Sequence, residues 1–136
     1  MSRSMGALSP FMQQKYQAFI KQCNAENLGV ILVCTDRGEA EQNACKENGS
    51  SHAVYGKSAH NVLLANGKPA SEAWDVGVIF NGKYVGDSAH PSYQRAGVIG
   101  VSLGLKWYGT LLPNGKPKYD PYEAAHFQNP NWSKPK

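Results

Sequence analysis

The chain has 136 residues and a mass of 14.8 kDa, the usual size of a single domain. Hydrophobic residues make up 41% and charged residues 18%, which is the composition of a globular protein and not of a disordered one. Length and composition exclude a fibre, a repeat array and a multi-domain machine, and they predict one domain over residues 1–136.

The formal net charge is +4, from 14 Lys and Arg against 10 Asp and Glu. Such a mild excess suits an anionic polymer such as cell wall or nucleic acid, and it is equally common in ordinary soluble proteins. A nucleic-acid binder would cluster its basic residues on one helix or strand face, whereas here they are dispersed. The charge therefore leaves an anionic partner open and disfavours nucleic acid.

We expect neither a membrane span nor a disulfide framework. The strongest apolar run, residues 30–34, has five residues, against about 20 for a helix that crosses a bilayer. No apolar segment follows the basic residue near the N-terminus, so a secretory signal is not expected and the product should be released in the cytosol. The three cysteines lack C-x-x-C spacing, and Cys23 and Cys34 fall among apolar residues as small core side chains do.

The first third of the chain carries signals for helix, strand and helix. Ser9 and Pro10 are typical of a helix cap and first position, and apolar residues then recur every three or four positions to about residue 27. The β-branched run at 30–35 predicts a buried strand. A second helix is predicted from 39 to about 48, with Asp36 near its start and Gly49 as its stop.

The rest of the chain predicts further strands and one more helix. Residues 49–72 form no periodic element, whereas 74–80 reads as a strand that turns at Asn81-Gly82 and returns at 84–85. A third helix is predicted from Pro91 to Leu103. The later features are an extended segment at 106–108, a turn at Asn114-Gly115 and an element at 123–127. This order indicates one α+β domain.

Two common catalytic patterns are absent from the sequence. Gly56-Lys57-Ser58 would close a phosphate-binding loop, but Ser51 occupies the position where that motif requires Gly. No G-x-S-x-G motif is present, and no cysteine has the flanks of a catalytic nucleophile.

Metal chemistry is the third possibility. Histidines and carboxylates are scarce, and four of them, His60, Asp75, Glu123 and His126, could form a hydrolytic zinc site. Two imidazoles and one carboxylate bind zinc with a fourth position left for water, and the remaining carboxylate could act as general base. Spacing alone leaves an alternative open, in which His60 caps a loop, Asp75 bonds to backbone and Glu123 is solvated.

Three short motifs occur in order, Ser58-Ala59-His60, Ala73-Trp74-Asp75 and Glu123-Ala124-Ala125-His126. This sequence resembles the S-x-H, A-x-D and [ED]-x-x-H signature of the VanY-like zinc peptidases, the D-Ala-D-Ala carboxypeptidase family. Within it, the chain is most similar to small phage endolysins that are L-alanyl-D-glutamate peptidases. Two further stretches are similar to family segments: residues 35–42, with Thr35, Arg37 and Glu41-Gln42, and residues 98–109.

The resemblance covers about residues 10–130 and implies the fold of the family, a small antiparallel sheet with helices packed around it (the LAS-type metallopeptidase fold). It also implies one Zn²⁺ per chain, with His60, Asp75 and His126 as metal ligands. Glu123 would be the catalytic base. Arg37 would be catalytic, sharing the oxyanion with the metal, and could bind a substrate carboxylate.

The same resemblance implies a role for Ser58, and the chain departs from the family pattern in one respect. Ser58 would bond the substrate or fix the loop of His60, and Arg37 in an ordinary surface salt bridge remains an alternative. His52 and His90 fall in no motif and are expected not to be ligands. Fourteen residues separate His60 from Asp75, more than in the family's commonest form, which indicates a loop insertion before the strand of Asp75.

The resemblance implies a zinc-dependent peptidoglycan peptidase that cuts the stem peptide between L-Ala and D-Glu during host lysis. Such an enzyme would wait in the host cytoplasm as a monomer and reach the cell wall after a separate holin-like protein permeabilises the membrane. No separate wall-binding domain is expected. The alternatives are a D-Ala-D-Ala carboxypeptidase on the same zinc site, a non-catalytic wall-binding module and, least favoured, a nucleic-acid binder.

Overall fold

The computed structural model describes residues 2–49, 51, 53–87, 89–107 and 123–133. The predictions for His52, for the turn at Asn114-Gly115 and for the end of the extended segment at Tyr108 lie outside these residues. The described helices are α1 (Pro10–Ala25), α2 (Glu39–Glu47) and α3 (Pro91–Ser102). The described strands are β1 (Gly29–Cys34), β2 (Ala73–Phe80), β3 (Lys83–Val85), β4 (Lys106–Trp107) and β5 (His126–Gln128).

The helices begin and end close to the predicted positions. The Ser9 hydroxyl caps α1 by accepting a hydrogen bond from the Met12 amide at 3.3 Å, with Pro10 in the first turn. His90 caps α3 in the same way, through Nδ1. Gly38 occupies the N-cap position of α2, and no side chain caps this helix. Asp36 is near its start but is not its cap. Gly49 follows α2 with φ of +83°, a backbone conformation that glycine adopts without strain.

The five strands form one antiparallel sheet in the order β1-β2-β5-β4, and β3 pairs with the far end of β2. The β2 strand is therefore central, because it has β1 along one edge and both β5 and β3 along the other. The α+β class and the small antiparallel sheet predicted from the sequence are confirmed.

The core lies between the sheet and the helices α1 and α3. Alternate residues of β2 enter it, and side chains from both helices pack against them. Its buried members include Met12, Phe19, Trp74, Val78, Tyr93, Ile99 and Phe127. Because side chains alternate across a strand, the residues between these positions on β2 point to the opposite face.

Two glycines of α3 let the ends of the sheet approach the helix. A Cβ on Gly97 would lie 2.3 Å from the Trp107 ring, and one on Gly100 would lie 2.4 Å from the Phe127 ring. The two aromatic residues are register partners on β4 and β5. This close packing fixes the position of the C-terminal strand β5 relative to α3.

The thiols of Cys23, Cys34 and Cys45 are free, and the first two are buried as predicted. Among the described helices, none combines the length and the hydropathy needed to cross a bilayer.

Candidate metal centre

Asp75 and His126 lie side by side on neighbouring strands. They are register partners in the antiparallel pair of β2 and β5, so their side chains leave the same face of the sheet. The distance from Asp75 Oδ1 to His126 Nδ1 is 3.0 Å. Trp74 precedes Asp75 and Phe127 follows His126. These two residues also pair with each other, and they point into the core on the other face. The pairing of two strands distant in sequence thus brings this carboxylate and imidazole together.

His60 reaches the same carboxylate oxygen from a short 3-10 turn, Ala59–Asn61. Its Nε2 lies 3.2 Å from Asp75 Oδ1, and its side chain is buried. The Ser58 hydroxyl caps the turn by accepting a hydrogen bond from the His60 amide, while the Asn61 carboxamide oxygen accepts from the Ser58 amide. The Ser58 side chain therefore fixes the loop of His60, one of its two predicted roles. The turn itself was not predicted.

The second nitrogen of each imidazole faces an oxygen that only accepts hydrogen bonds. His60 Nδ1 lies 2.7 Å from the Thr35 carbonyl oxygen, which also accepts a hydrogen bond from the buried Ser71 hydroxyl. His126 Nε2 lies 2.8 Å from the Gln128 Oε1 atom. A neutral His60 that donates Nδ1–H to Thr35 presents the lone pair of Nε2 to a carboxylate oxygen. That contact is favourable only with a proton or a cation between the two atoms.

These contacts fit a bound metal ion. Zinc takes imidazole nitrogens and carboxylate oxygens as ligands, and histidine ligands in metal sites usually donate their other N–H to an oxygen nearby. His60, Asp75 and His126 meet both conditions. Asp75, at the centre, uses only its Oδ1 for these two contacts.

The local electrostatics keep Asp75 ionised. Burial alone would raise the pKa of its carboxyl, but the charges and hydrogen bonds of His60 and His126 hold that pKa well below its ordinary value. Burial lowers the pKa of His60. For His126 burial acts in the same direction, yet the hydrogen bond and charge of Asp75 outweigh it and raise the pKa. The site is therefore an anionic carboxylate between two imidazoles, a good environment for a cation.

Arg37 occupies the other oxygen of Asp75. Its Nη2 lies 2.8 Å from Asp75 Oδ2, and only 8% of Arg37 is exposed. Burial would lower the pKa of the guanidinium, but the charge of Asp75 raises it, so the pair stays ionised. Arg37 is thus in a buried ion pair, and not in a surface salt bridge.

Gln42 is a further residue of the site to which the sequence pattern assigned no role. It is fully buried on α2, and its Oε1 accepts hydrogen bonds from Arg37 Nη1 at 3.4 Å and Asn61 Nδ2 at 3.3 Å. Its Nε2 donates to the Ser51 hydroxyl and the Ala53 carbonyl. Gln42 therefore ties Arg37 to the segment that delivers His60. The available signal was the place of Gln42 in the segment 35–42 that resembles a family motif.

Cys34 is a second candidate ligand that the sequence did not suggest. Its Sγ, a nitrogen of His60 and an oxygen of Asp75 lie within 4.8 Å of one another, and these three residues could hold a metal ion. Cys34 is the register partner of Asp75 on β1, opposite to the His126 side. Burial, with the charge of Asp75, raises the pKa of the Cys34 thiol to about 12. The thiol of the metal-free protein is therefore protonated, and a metal that used Cys34 would have to displace this proton.

The remaining predicted residues lie as follows. Glu123 begins a 3-10 turn, Glu123–Ala125, directly before β5, and its side chain lies outside the described part of the structure. His90 caps α3 and its ring packs against Phe80, which is the structural role expected of a non-ligand.

Comparison with solved structures gives an informative likeness. No family model matches the chain, and no curated protein does so by sequence. Among solved structures, the fold is similar to that of the Serratia marcescens L-Ala D-Glu endopeptidase ChiX, with a TM-score of 0.63. The alignment covers 94% of this chain and 86% of ChiX at 17% sequence identity. The two proteins therefore share a fold, at a distance where sequence alone shows no family.

Proposed function

We propose that this protein is a metal-dependent peptidase that hydrolyses the stem peptide of peptidoglycan. The observation that carries the proposal is the convergence of His60 Nε2 and His126 Nδ1 on one oxygen of Asp75, beside a buried arginine. The fold shared with an L-Ala D-Glu endopeptidase supports it. A residue set that could hold a metal ion on such a fold favours amide hydrolysis over a role in binding alone.

His60, Asp75 and His126 are the proposed ligands of one Zn²⁺. When bound, zinc would lower the pKa of a water molecule and polarise the carbonyl of the substrate. The described residues supply the frame for this chemistry. The Thr35 carbonyl orients the His60 ring, and Arg37 holds the second oxygen of Asp75, so that the ligands are preorganised.

Glu123 is the proposed general base and acid. It lies three residues before His126, in the turn that leads into β5. A carboxylate at this position would accept a proton from the attacking water and pass it to the amine that leaves. We propose Arg37 as a positioning residue first, because its Nη2 is committed to Asp75 and little of its surface is exposed. A direct contact of Arg37 with the oxyanion or a substrate carboxylate is the sequence-based alternative.

For the substrate we propose the bond between L-Ala and D-Glu. ChiX is an L-Ala D-Glu endopeptidase, and the sequence motifs resemble those of endolysins with the same specificity. The net charge of +4 would favour association with an anionic cell wall. A role in phage-induced lysis, with release from the host cytoplasm through a holin-like protein, is the biological setting that we propose for this activity.

Product analysis tests the proposal. Purified peptidoglycan is incubated with the zinc-loaded protein, with the chelator-treated protein and with Glu123→Gln, and the soluble products are identified by mass spectrometry. We expect zinc-dependent release of peptides that begin with D-Glu, and no release by Glu123→Gln although it still binds zinc. Loss of single D-Ala residues would instead identify a D-Ala-D-Ala carboxypeptidase. No cleavage by a folded, zinc-loaded protein would contradict a peptidase and favour a wall-binding module.

A further inference from the structure

Gln128 contacts the imidazole of His126 on the side away from Asp75. The two residues are two positions apart on β5, so they lie on the same face of the sheet. Gln128 is only 6% exposed, and its Oε1 lies 2.8 Å from His126 Nε2. Gln128 lies two residues beyond the motif that ends at His126, and neither that motif nor the proposed reaction gives it a role.

The two histidines of the site direct different ring nitrogens at Asp75. The Thr35 carbonyl faces Nδ1 of His60, which leaves Nε2 directed at Asp75. The Gln128 carbonyl oxygen faces Nε2 of His126, which leaves Nδ1 directed at the same atom of Asp75. Each ring therefore has its own oxygen acceptor, one from the main chain and one from a side chain.

We propose that Gln128 is a positioning residue that accepts a hydrogen bond from Nε2–H of His126, with Nδ1 as the nitrogen that binds the metal. This inference rests on the proposed metal site. Its physical basis is the metal-bound ring, in which Nδ1 would give its lone pair to the metal and the proton of the neutral imidazole would be on Nε2. The Gln128 carbonyl oxygen lies 2.8 Å from Nε2 and is the acceptor for that proton.

Removal of the acceptor should weaken metal binding. With leucine at position 128, the Nε2–H of the metal-bound ring would lose its hydrogen bond to the carboxamide. Loss of an outer hydrogen bond to a histidine ligand typically reduces metal affinity by roughly 10- to 100-fold. A carboxylate at position 128 keeps an oxygen acceptor in place, so Gln128→Glu should bind zinc at least as tightly as the natural protein.

The test measures the zinc Kd of the whole chain by competition with a chromophoric chelator. The variants are Gln128→Leu, Gln128→Glu and the matched control Gln94→Leu. The control makes the same change on α3, in a pocket that Gln94 lines together with Gln22 and Val98. We expect a Kd raised roughly 10- to 100-fold in Gln128→Leu, restored in Gln128→Glu, and unchanged in Gln94→Leu. An unchanged Kd in Gln128→Leu, or equal losses in the leucine and glutamate variants, would overturn the role of Gln128.

A second measurement does not depend on whether a variant folds. Long-range ¹H–¹⁵N NMR of the natural protein loaded with zinc identifies the metal-bound nitrogen of each histidine. We expect Nδ1 for His126 and Nε2 for His60, and zinc on Nε2 of His126 would refute the inference. If the natural protein binds no zinc, the proposed metal site itself fails, and that outcome is distinct from an effect of Gln128.

Discussion

The two oxygens of Asp75 have different partners: Oδ2 lies 2.8 Å from Arg37 Nη2, while Oδ1 faces the imidazoles of His60 and His126. One oxygen is thereby fixed by a buried cation, and the other is left to the candidate metal. This division explains how a carboxylate that is only 16% exposed stays ionised at the centre of the site. It also makes the stability of the site depend on Arg37.

Replacement of Arg37 by alanine should strongly destabilise the metal-free protein. Breaking a buried ion pair leaves an uncompensated charge and typically costs about 3–5 kcal/mol of the free energy of unfolding. Urea unfolding of the two metal-free proteins measures the difference. Arg95→Ala is the control, because the pair of Arg95 with Glu26 is exposed and 3.8 Å long, and such pairs contribute about 1 kcal/mol or less. Equal losses in the two variants would contradict a buried ion pair at Arg37.

Gly100→Ala should destabilise the protein through the ring of Phe127. A Cβ at this position would lie 2.4 Å from that ring, and overpacking of a core typically costs about 1–3 kcal/mol. Thermal unfolding provides the measurement, with Val101→Ala as control on the same helix, since Val101 is 53% exposed. If Gly100→Ala is as stable as the control, Phe127 does not pack tightly against α3.

The sequence predicted much of this architecture because its signals are local. The Ser9-Pro10 cap, the turn at Asn81-Gly82 and the periodic apolar face of α3 each depend on neighbouring residues only. The resemblance to a peptidase family then named His60, Asp75 and His126, which the structure brings together. These three come from a turn and two strands, so the proximity depends on strand pairing and could not be obtained from spacing.

What could not be predicted from the sequence are contacts between side chains distant in the chain. Arg37 belonged to a quoted motif, yet its burial against Asp75 depends on the pairing of β1 with β2. Gln42 and Gln128 are polar residues that ordinarily lie on surfaces, and only the structure shows them buried and bonded to site residues. A single sequence contains no signal for the partner of a buried amide.

The three thiols should react at very different rates. Burial raises the pKa of Cys34 to about 12 and that of Cys23 to about 11, so at pH 8 roughly one Cys34 in ten thousand is a thiolate. Cys45 is only half-buried. Alkylation of the native protein with iodoacetamide, mapped by peptide mass spectrometry, should modify Cys45 first, and the denatured protein should react at all three. Rapid native modification of Cys34 would contradict its burial.

Alkaline pH should destabilise the fold in part through Tyr93. Its hydroxyl donates to the Val85 carbonyl at 2.6 Å, and burial raises its pKa to about 12. Because the native state retains this proton better than the unfolded state, the stabilisation is complete below the unfolded pKa of about 10 and is lost as pH rises through the native value. Urea unfolding from pH 8 to 11.5 should show a steeper loss in the natural protein than in Tyr93→Phe. Parallel pH profiles would rule out this contribution.

The proposed ligand set is tested most directly by the zinc stoichiometry of three proteins: the natural chain, His126→Ala and Cys34→Ala. Each is saturated with zinc, desalted against a weak chelator and analysed by atomic absorption. We expect one zinc per chain in the natural protein and in Cys34→Ala, and loss of zinc in His126→Ala. Retention of zinc in His126→Ala, together with its loss in Cys34→Ala, would contradict the ligand set and move the metal to Cys34, His60 and Asp75.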